Sequence, residues 1–291
     1  MALLLVVGWG GRALGSERLL LYVALDPQKD VAERLVGDRL RVESLLPPGA
    51  DPHNFEPKPQ QMVEMTRALA YFSAGLPFEE SLVPRLRGAV PHLVIVSGDA
   101  GIDKIPMVPP EELFSDAGHA LSAEVHGHHA GEDPHFWTSP KRMGHMARTM
   151  ASALVALDPE GAPIYQRNLG ALEEDIAALE SELAHLLEGR RGMAFLVFHP
   201  AWGYFAADFG LRQIPVEAEG KEPKAADLTR LIRFAREKGV EVIFVSPQFS
   251  PKGAAVVAAE MDATLVELDP LARGWMENLR RVGHLLHDAA K

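Results

Sequence analysis

Three histidines occur in similar settings along this chain, and imidazole is a side chain that proteins use to bind metal ions. His53 lies in Pro-Gly-Ala-Asp-Pro-His-Asn-Phe-Glu-Pro, His135 in Glu-Asp-Pro-His-Phe-Trp, and His199 in Leu-Val-Phe-His-Pro-Ala-Trp. Proline restricts the neighbouring backbone, and the aromatic residues shield the imidazole ring. Zinc accepts neutral imidazole as one of four tetrahedral ligands at about 2 Å. We therefore predict that these three side chains bind a metal ion.

Each of these histidines falls where a strand-like stretch gives way to a loop. In open α/β sheets, ligands bind outside the carboxyl ends of the strands. Asp269 has a similar place, because residues 265–268 resemble a strand and Asp269-Pro270 resembles the start of the final helix. Ordinary interpretations stay open: a loop histidine often serves at the surface or in hydrogen bonding, and Asp269 can be a helix N-cap.

Residues 98–132 interrupt the first half of the chain with a polar stretch rich in Gly, Pro and Asp. Four further histidines lie in it, namely His119, His126, His128 and His129. Long loops of this kind are either functional or disordered. The stretch is thus an auxiliary loop that binds metal loosely or a solvated insertion without a role.

Strand-like and helix-like stretches alternate in both halves of the chain. The strands predicted in the first half are residues 19–23, 40–46, 71–73 and 93–97. Those predicted in the second half are residues 194–198, 212–216, 242–246 and 264–268. This alternation predicts an α/β protein in which each half forms a parallel sheet flanked by helices.

A long helix is predicted between the halves, where apolar residues recur at helical spacing. About 30 helical residues span roughly 45 Å, which is too long for a connection inside one small lobe. We therefore predict an N-terminal lobe of residues 16–157, a rigid linking helix of residues 158–190, and a C-terminal lobe of residues 191–291. A site built from both halves would lie in the cleft between these lobes.

Composition excludes several classes of partner and of site. The formal charge of -11 argues against nucleic acid and anionic membranes as partners. The absence of cysteine excludes disulfides, thiolate metal sites and a lipid anchor on cysteine. No run after the N-terminus approaches the roughly 20 apolar residues that a membrane helix needs.

Residues 1–15 resemble a secretory signal peptide, with an apolar run followed by small residues near a plausible cleavage site at Ala13-Leu14-Gly15. No basic residue precedes the apolar run. A start farther upstream and an apolar N-terminal strand are therefore the alternatives.

Motifs of common enzymes are missing from the sequence. It contains no His-Glu-x-x-His, no Gly-x-Ser-x-Gly, no P-loop and no dinucleotide-binding glycine pattern after a strand. Their absence favours a protein that binds a ligand without converting it. A zinc hydrolase stays an alternative, because zinc with an open coordination position activates water.

Several of these motifs occur in one order that resembles the ZnuA/TroA family, the metal-binding subunits of ABC transporters for zinc and manganese. They are Pro-Pro-Gly-Ala-Asp-Pro-His-Asn-Phe-Glu-Pro, the histidine-containing loop, Asp-Pro-His-Phe-Trp, Phe-His-Pro-Ala-Trp-Gly-Tyr-Phe and Glu-Gly-Lys-Glu-Pro at 219–223. The resemblance extends from about residue 19 to the C-terminus. It implies two lobes joined by one long helix, with the metal between them.

The same resemblance implies roles for individual residues. His53, His135 and His199 match the three main ligand positions, and Asp269 matches a carboxylate position near the C-terminus, so that Asp269 or water completes the shell. Glu217 and Glu219 are close enough in sequence to His199 to support its imidazole. Manganese-binding relatives have a carboxylate where His199 stands, and three imidazoles with at most one carboxylate favour zinc over manganese.

The implied function is that of a periplasmic, monomeric solute-binding protein. It would capture Zn²⁺ and deliver it to the permease of a zinc ABC transporter, without enzymatic activity. Because the ligands bind metal only when deprotonated, the affinity for zinc should fall as the pH drops through the imidazole pKa of about 6.5. The alternatives are a manganese- or iron-binding member of the family, a zinc-dependent hydrolase, and a binder of a chelated metal or organic ligand.

Overall fold

The computed structural model describes residues 18–107, 131–217, 225–237 and 239–289. The predicted signal peptide of residues 1–15 lies outside the described residues, and so do the loop histidines His119, His126, His128 and His129. Among the described helices, none combines the length and the apolar composition needed to cross a lipid bilayer.

The N-terminal lobe contains a four-stranded parallel sheet in the order β2-β1-β3-β4. Its strands are β1 (Leu19–Val23), β2 (Leu40–Ser44), β3 (Ala68–Ser73) and β4 (Val94–Ser97). Its helices are α1 (Asp26–Val36), α2 (Pro59–Met65), α3 (Pro77–Ala89) and α4 (Pro140–Leu157). The central strand β1 is apolar along its length because helices cover both faces of a parallel sheet.

The long linking helix is α5 (Ala162–Leu187), whose 26 residues span about 39 Å at 1.5 Å per residue. Short 3₁₀ turns, Pro159–Gly161 and Glu188–Arg190, precede and follow it. It packs against α1 and α4 of the N-terminal lobe and against the last helix of the C-terminal lobe. The prediction of a long helix that joins two lobes is therefore confirmed.

The C-terminal lobe has a second four-stranded parallel sheet, in the order β6-β5-β7-β8. Its strands are β5 (Ala194–Val197), β6 (Arg212–Pro215), β7 (Val242–Val245) and β8 (Thr264–Glu267). Its helices are α6 (Gly203–Phe209), α7 (Ala225–Glu237), α8 (Pro251–Met261) and α9 (Trp275–Asp288). The predicted start of the final helix at Asp269-Pro270 is wrong, because Gly274, at φ 68°, precedes the first residue of α9.

The described residues form two hydrophobic cores. The larger core is continuous from the N-terminal sheet through α5 to one face of the C-terminal sheet, where Tyr204, Phe205 and Trp275 are buried. The smaller core includes Leu231 of α7 and Ile243 of β7. Because the larger core crosses from one lobe to the other, the lobes are packed as parts of one body.

Hydrogen bonds also join the lobes beside the cleft. The indole of Trp137 donates to the Pro270 carbonyl at 2.8 Å, and the indole of Trp275 donates to the Trp137 carbonyl at 2.7 Å. The Tyr204 hydroxyl donates to the Asp133 carbonyl at 2.7 Å. The prediction of two lobes is confirmed, while the exact boundaries at residues 157–158 and 190–191 stay predictions.

Candidate metal centre

His53, His135 and His199 meet in the cleft between the two lobes. Nε2 of His199 lies 3.3 Å from Nε2 of His53 and 3.4 Å from Nε2 of His135. One ligand atom from each ring lies within 4.8 Å of those of the other two rings. His53 and His135 are 82 residues apart in sequence, and His135 and His199 are 64 apart. Their ring nitrogens nevertheless converge on one position.

His53 lies in the loop between β2 and α2. Its backbone N–H donates to Oδ1 of Asp51 at 2.8 Å, and Oδ2 of Asp51 accepts from the Asn54 side chain at 2.6 Å. This turn directs the imidazole toward the C-terminal lobe. The ring is partly buried, and its burial lowers the pKa of His53, an effect that the neighbouring His199 ring reinforces.

His135 immediately precedes the 3₁₀ turn Phe136–Thr138. Its backbone N–H and its Nδ1 both bond to Oδ1 of Asp133, each at 2.8 Å. The ring is 2% exposed, and the Trp137 ring packs edge-on against it with centroids 5.2 Å apart. The position of this imidazole is therefore set from both its backbone and its side chain.

His199 lies two residues beyond the end of β5, and Glu217 lies two residues beyond the end of β6. These strands pair in register, Val197 with Pro215, so the two side chains emerge side by side. Nδ1 of His199 bonds to Oε1 of Glu217 at 2.5 Å. The ring is 3% exposed, and burial lowers the pKa of His199 although the Glu217 carboxylate acts in the opposite direction.

The carboxylate partners determine which nitrogen of each ring carries the proton. Nδ1–H of His135 donates to Asp133 and Nδ1–H of His199 donates to Glu217, so Nε2 of both rings carries a lone pair. These two lone pairs face each other at 3.4 Å without a hydrogen to share. A tetrahedral ion with bonds of about 2.0–2.1 Å requires ligand nitrogens about 3.3–3.4 Å apart. This is the spacing observed between Nε2 of His199 and Nε2 of each of the other two rings.

Asp269 is placed differently from the three histidines. In the described part of the chain, the ligand atoms that converge are those of the three histidines, and Asp269 is not among them. Oδ1 of Asp269 accepts hydrogen bonds from Nε2 of Gln248 at 2.7 Å and from the backbone N–H of Leu271 at 2.9 Å. Asp269 therefore shapes a turn before α9, and it is not the N-cap of that helix.

Some residues of this region were not predicted from the sequence. Proximity in sequence makes Glu217 and Glu219 equal candidates to support His199. Glu217 bonds to His199, whereas Glu219 lies outside the described residues. Asp133, Gln248 and Phe249 are not predicted from the sequence. The Phe249 ring packs on His199 with centroids 4.3 Å apart. The tripeptide Asp-Pro-His, which occurs at 51–53 and again at 133–135, is the sequence feature from which the role of Asp133 could have been found.

Most of this chain is similar to proteins of a known family. The family model described as "Zinc-uptake complex component A periplasmic" matches residues 21–282. The chain is 27% identical over 260 residues to the high-affinity zinc uptake system protein ZnuA of Bacillus subtilis (strain 168), covering 88% of this chain and 79% of that protein.

Solved structures of similar proteins have the same fold. A crystal structure of ZnuA has a TM-score of 0.83 and 35% identity, and the match covers 94% of this chain and all of that one. A zinc-bound deletion mutant of ZnuA has a TM-score of 0.84 and 35% identity, with coverage of 94% and 98%.

Proposed function

We propose a function from the premise that this chain belongs to the periplasmic zinc-uptake complex component A family. The protein captures Zn²⁺ in the cleft between its lobes and delivers the ion to the permease of an ABC transporter. His53, His135 and His199 are the ligands, and Asp269 or water fills the fourth position. The zinc ion is cargo, and the protein acts as a monomer in the periplasm.

The observation that carries this proposal is the close approach of imidazole nitrogens in rings whose carboxylate partners bond to the opposite nitrogen. Nε2 of His135 and Nε2 of His199 face each other at 3.4 Å, and both point away from their carboxylate partners. Two lone pairs at this distance repel each other unless a proton or a cation lies between them. Burial opposes the protonated form of His199, so a metal cation is the species that this arrangement favours.

The donor set supports zinc over manganese. Nitrogen ligands suit zinc, whereas manganese prefers carboxylate and water oxygens. The carboxylates that bond to the imidazole rings, those of Asp133 and Glu217, do so at Nδ1 atoms on the outer side of the rings. They therefore make the imidazoles stronger ligands, and the atoms that face the centre of the cluster are the Nε2 nitrogens.

The same bonds support a binding protein over a hydrolase. A metallohydrolase needs a general base within hydrogen-bond reach of the metal-bound water. Asp133 and Glu217 are already engaged by imidazole N–H groups, which orient the ligands. Carboxylates with that task are positioning groups and do not activate water.

The packing between the lobes supports a release step that depends on the partner. The larger hydrophobic core and the bonds of Trp137, Tyr204 and Trp275 join the lobes around the cleft. A wide hinge motion would break these contacts. Release of zinc therefore requires the permease to distort the site.

The test of this proposal compares wild type with His199→Glu, each purified from medium that contains equal Zn²⁺ and Mn²⁺. Wild type should contain about one zinc per chain, and the variant should lose zinc relative to manganese because a hard oxygen replaces a nitrogen ligand. An unchanged zinc-to-manganese ratio in the variant would remove His199 from the ligand set.

Two further assays test the remaining parts of the proposal. Zinc-loaded protein should supply radiolabelled zinc to vesicles that carry its ABC permease, whereas His135→Ala should not. Turnover of p-nitrophenyl acetate that depends on bound zinc would instead favour the hydrolase.

A further inference from the structure

The loop after β7 lies against the histidine cluster and also contacts Asp269. Phe249 of this loop packs on the His199 ring, and its centroid lies 6.2 Å from that of His53. The adjacent residue, Gln248, donates from Nε2 to Oδ1 of Asp269 at 2.7 Å. Strands β7 and β8 are neighbours in the sheet, so their loops meet at its carboxyl edge.

The amide of Gln248 is bonded on only one side. Its Nε2 faces the Asp269 carboxylate, so its Oε1 faces away, and that oxygen is buried with no hydrogen-bond partner among the residues that the structure describes. A buried polar atom without a partner destabilises a fold. An apolar side chain would avoid this penalty, so the contribution of Gln248 lies in its bond to Asp269.

Asp269 forms the same kind of turn as two residues beside the histidines. In Asp51-Pro52-His53 and in Asp133-Pro134-His135, the aspartate Oδ1 accepts the backbone N–H two residues later. Asp269 accepts the backbone N–H of Leu271 in the same way. Both bonds are accepted by Oδ1 of Asp269, so together they fix the orientation of the carboxylate and engage that oxygen away from the histidines.

We propose that Gln248 is a specificity-determining residue that retains Asp269 in its turn, so that the bound ion meets three imidazoles and a water molecule. This inference depends on the proposed function, because it concerns the fourth position of the same site. Without Gln248, the Asp269 carboxylate would be free to replace the water. A carboxylate ligand would then raise the affinity for manganese relative to zinc.

The test uses cobalt as a spectroscopic substitute for zinc, with azide as a probe of the fourth position. In Co²⁺-loaded wild type, azide should displace the water and change the visible absorption spectrum. In Gln248→Ala, Asp269 should occupy that position, and azide should leave the spectrum unchanged. In Gln248→Ala/Asp269→Asn, the response to azide should return.

The affinities for metal ions give a second measurement on the same variants. The zinc-to-manganese affinity ratio should fall by about tenfold or more in Gln248→Ala, the size of effect common for residues that orient ligands. It should recover in the double variant. Thermal unfolding of each variant establishes that it is folded.

Three results would overturn the proposal. They are a wild-type spectrum that does not respond to azide, a Gln248→Ala spectrum that responds as wild type does, and a double variant that stays unresponsive. Failure of the proposed function would look different, because Co²⁺ binding would then be weak in wild type or unchanged in His135→Ala.

Discussion

The tripeptide Asp-Pro-His occurs twice in the N-terminal lobe, and the two copies differ in how firmly they hold the imidazole. Both make the same backbone bond, from the histidine N–H to the aspartate Oδ1 at 2.8 Å. At His135 the same carboxylate also binds Nδ1, and the ring is buried. At His53 the carboxylate of Asp51 binds Asn54 instead, and the ring is only partly buried.

This difference separates a fixed part of the site from an adaptable part. His135 and His199 are buried, each has its own carboxylate, and they come from opposite lobes. They form a pair whose geometry is set before the ion arrives. His53 completes the cluster from a loop with fewer constraints, which suits a ligand that must move when the ion enters or leaves.

The largest effect should come from removing one histidine at a time. His135→Ala should abolish tight zinc binding, because it destroys the fixed pair. His53→Ala should weaken zinc binding and retain a measurable site, because His135 and His199 are still in place. Competition with a chromophoric chelator measures both affinities. Equal losses in the two variants would contradict the division into fixed and adaptable ligands.

A smaller effect should come from the two aspartates. Asp133→Asn keeps an acceptor for the turn but removes the charge that supports Nδ1 of His135, so zinc affinity should fall by about 10–100-fold. Asp51→Asn, the matched control, keeps the turn and supports no imidazole nitrogen, so its effect should be smaller. Isothermal calorimetry on both variants makes the comparison. A larger loss for Asp51→Asn would contradict the assignment of Asp133 as the aspartate that supports an imidazole ligand.

The smallest effect should appear in the stability of the metal-free protein. Burial lowers the pKa of His53 and of His199, whereas both imidazoles take up a proton at about pH 6.5 in the unfolded chain. The unfolded state therefore binds more protons below that pH, and the folded state should lose stability as the pH falls. The full stability is therefore present only above about pH 6.5, and it decreases as the pH falls from there toward the lowered pKa values of the folded state.

Thermal unfolding of metal-free wild type and His53→Gln at pH 7.5 and at pH 5.5 measures this effect. The decrease in melting temperature between the two pH values should be smaller in His53→Gln, because Gln does not titrate. Identical decreases would mean that the pKa of His53 is the same in the folded protein as in the unfolded chain.

Much of the fold could be predicted because its signals are local. Apolar runs located the strands to within a few residues, and the helical spacing of apolar residues located the linking helix. The start of the last helix was placed too early, because Asp269-Pro270 has the composition of a helix start. In the structure that aspartate closes a turn, and the helix begins at Trp275.

The contacts around the histidines could be predicted only in part, because they depend on which elements are neighbours. The bond between His199 and Glu217 follows from the register of β5 and β6. The bond between Gln248 and Asp269 follows from the adjacency of β7 and β8. Strand order and register cannot be predicted from local sequence. The histidines could be predicted from their own local motifs, whereas most of their supporting residues could not.

The measurement that tests our central claim most directly is calorimetric titration of the metal-stripped protein with Zn²⁺ and, separately, with Mn²⁺, on wild type and on His135→Ala. We predict one tight zinc site per chain in wild type, weaker binding of manganese, and loss of the tight site in the variant. Equal or tighter binding of manganese would contradict the choice of metal. Absence of tight binding of either ion would contradict the metal site itself.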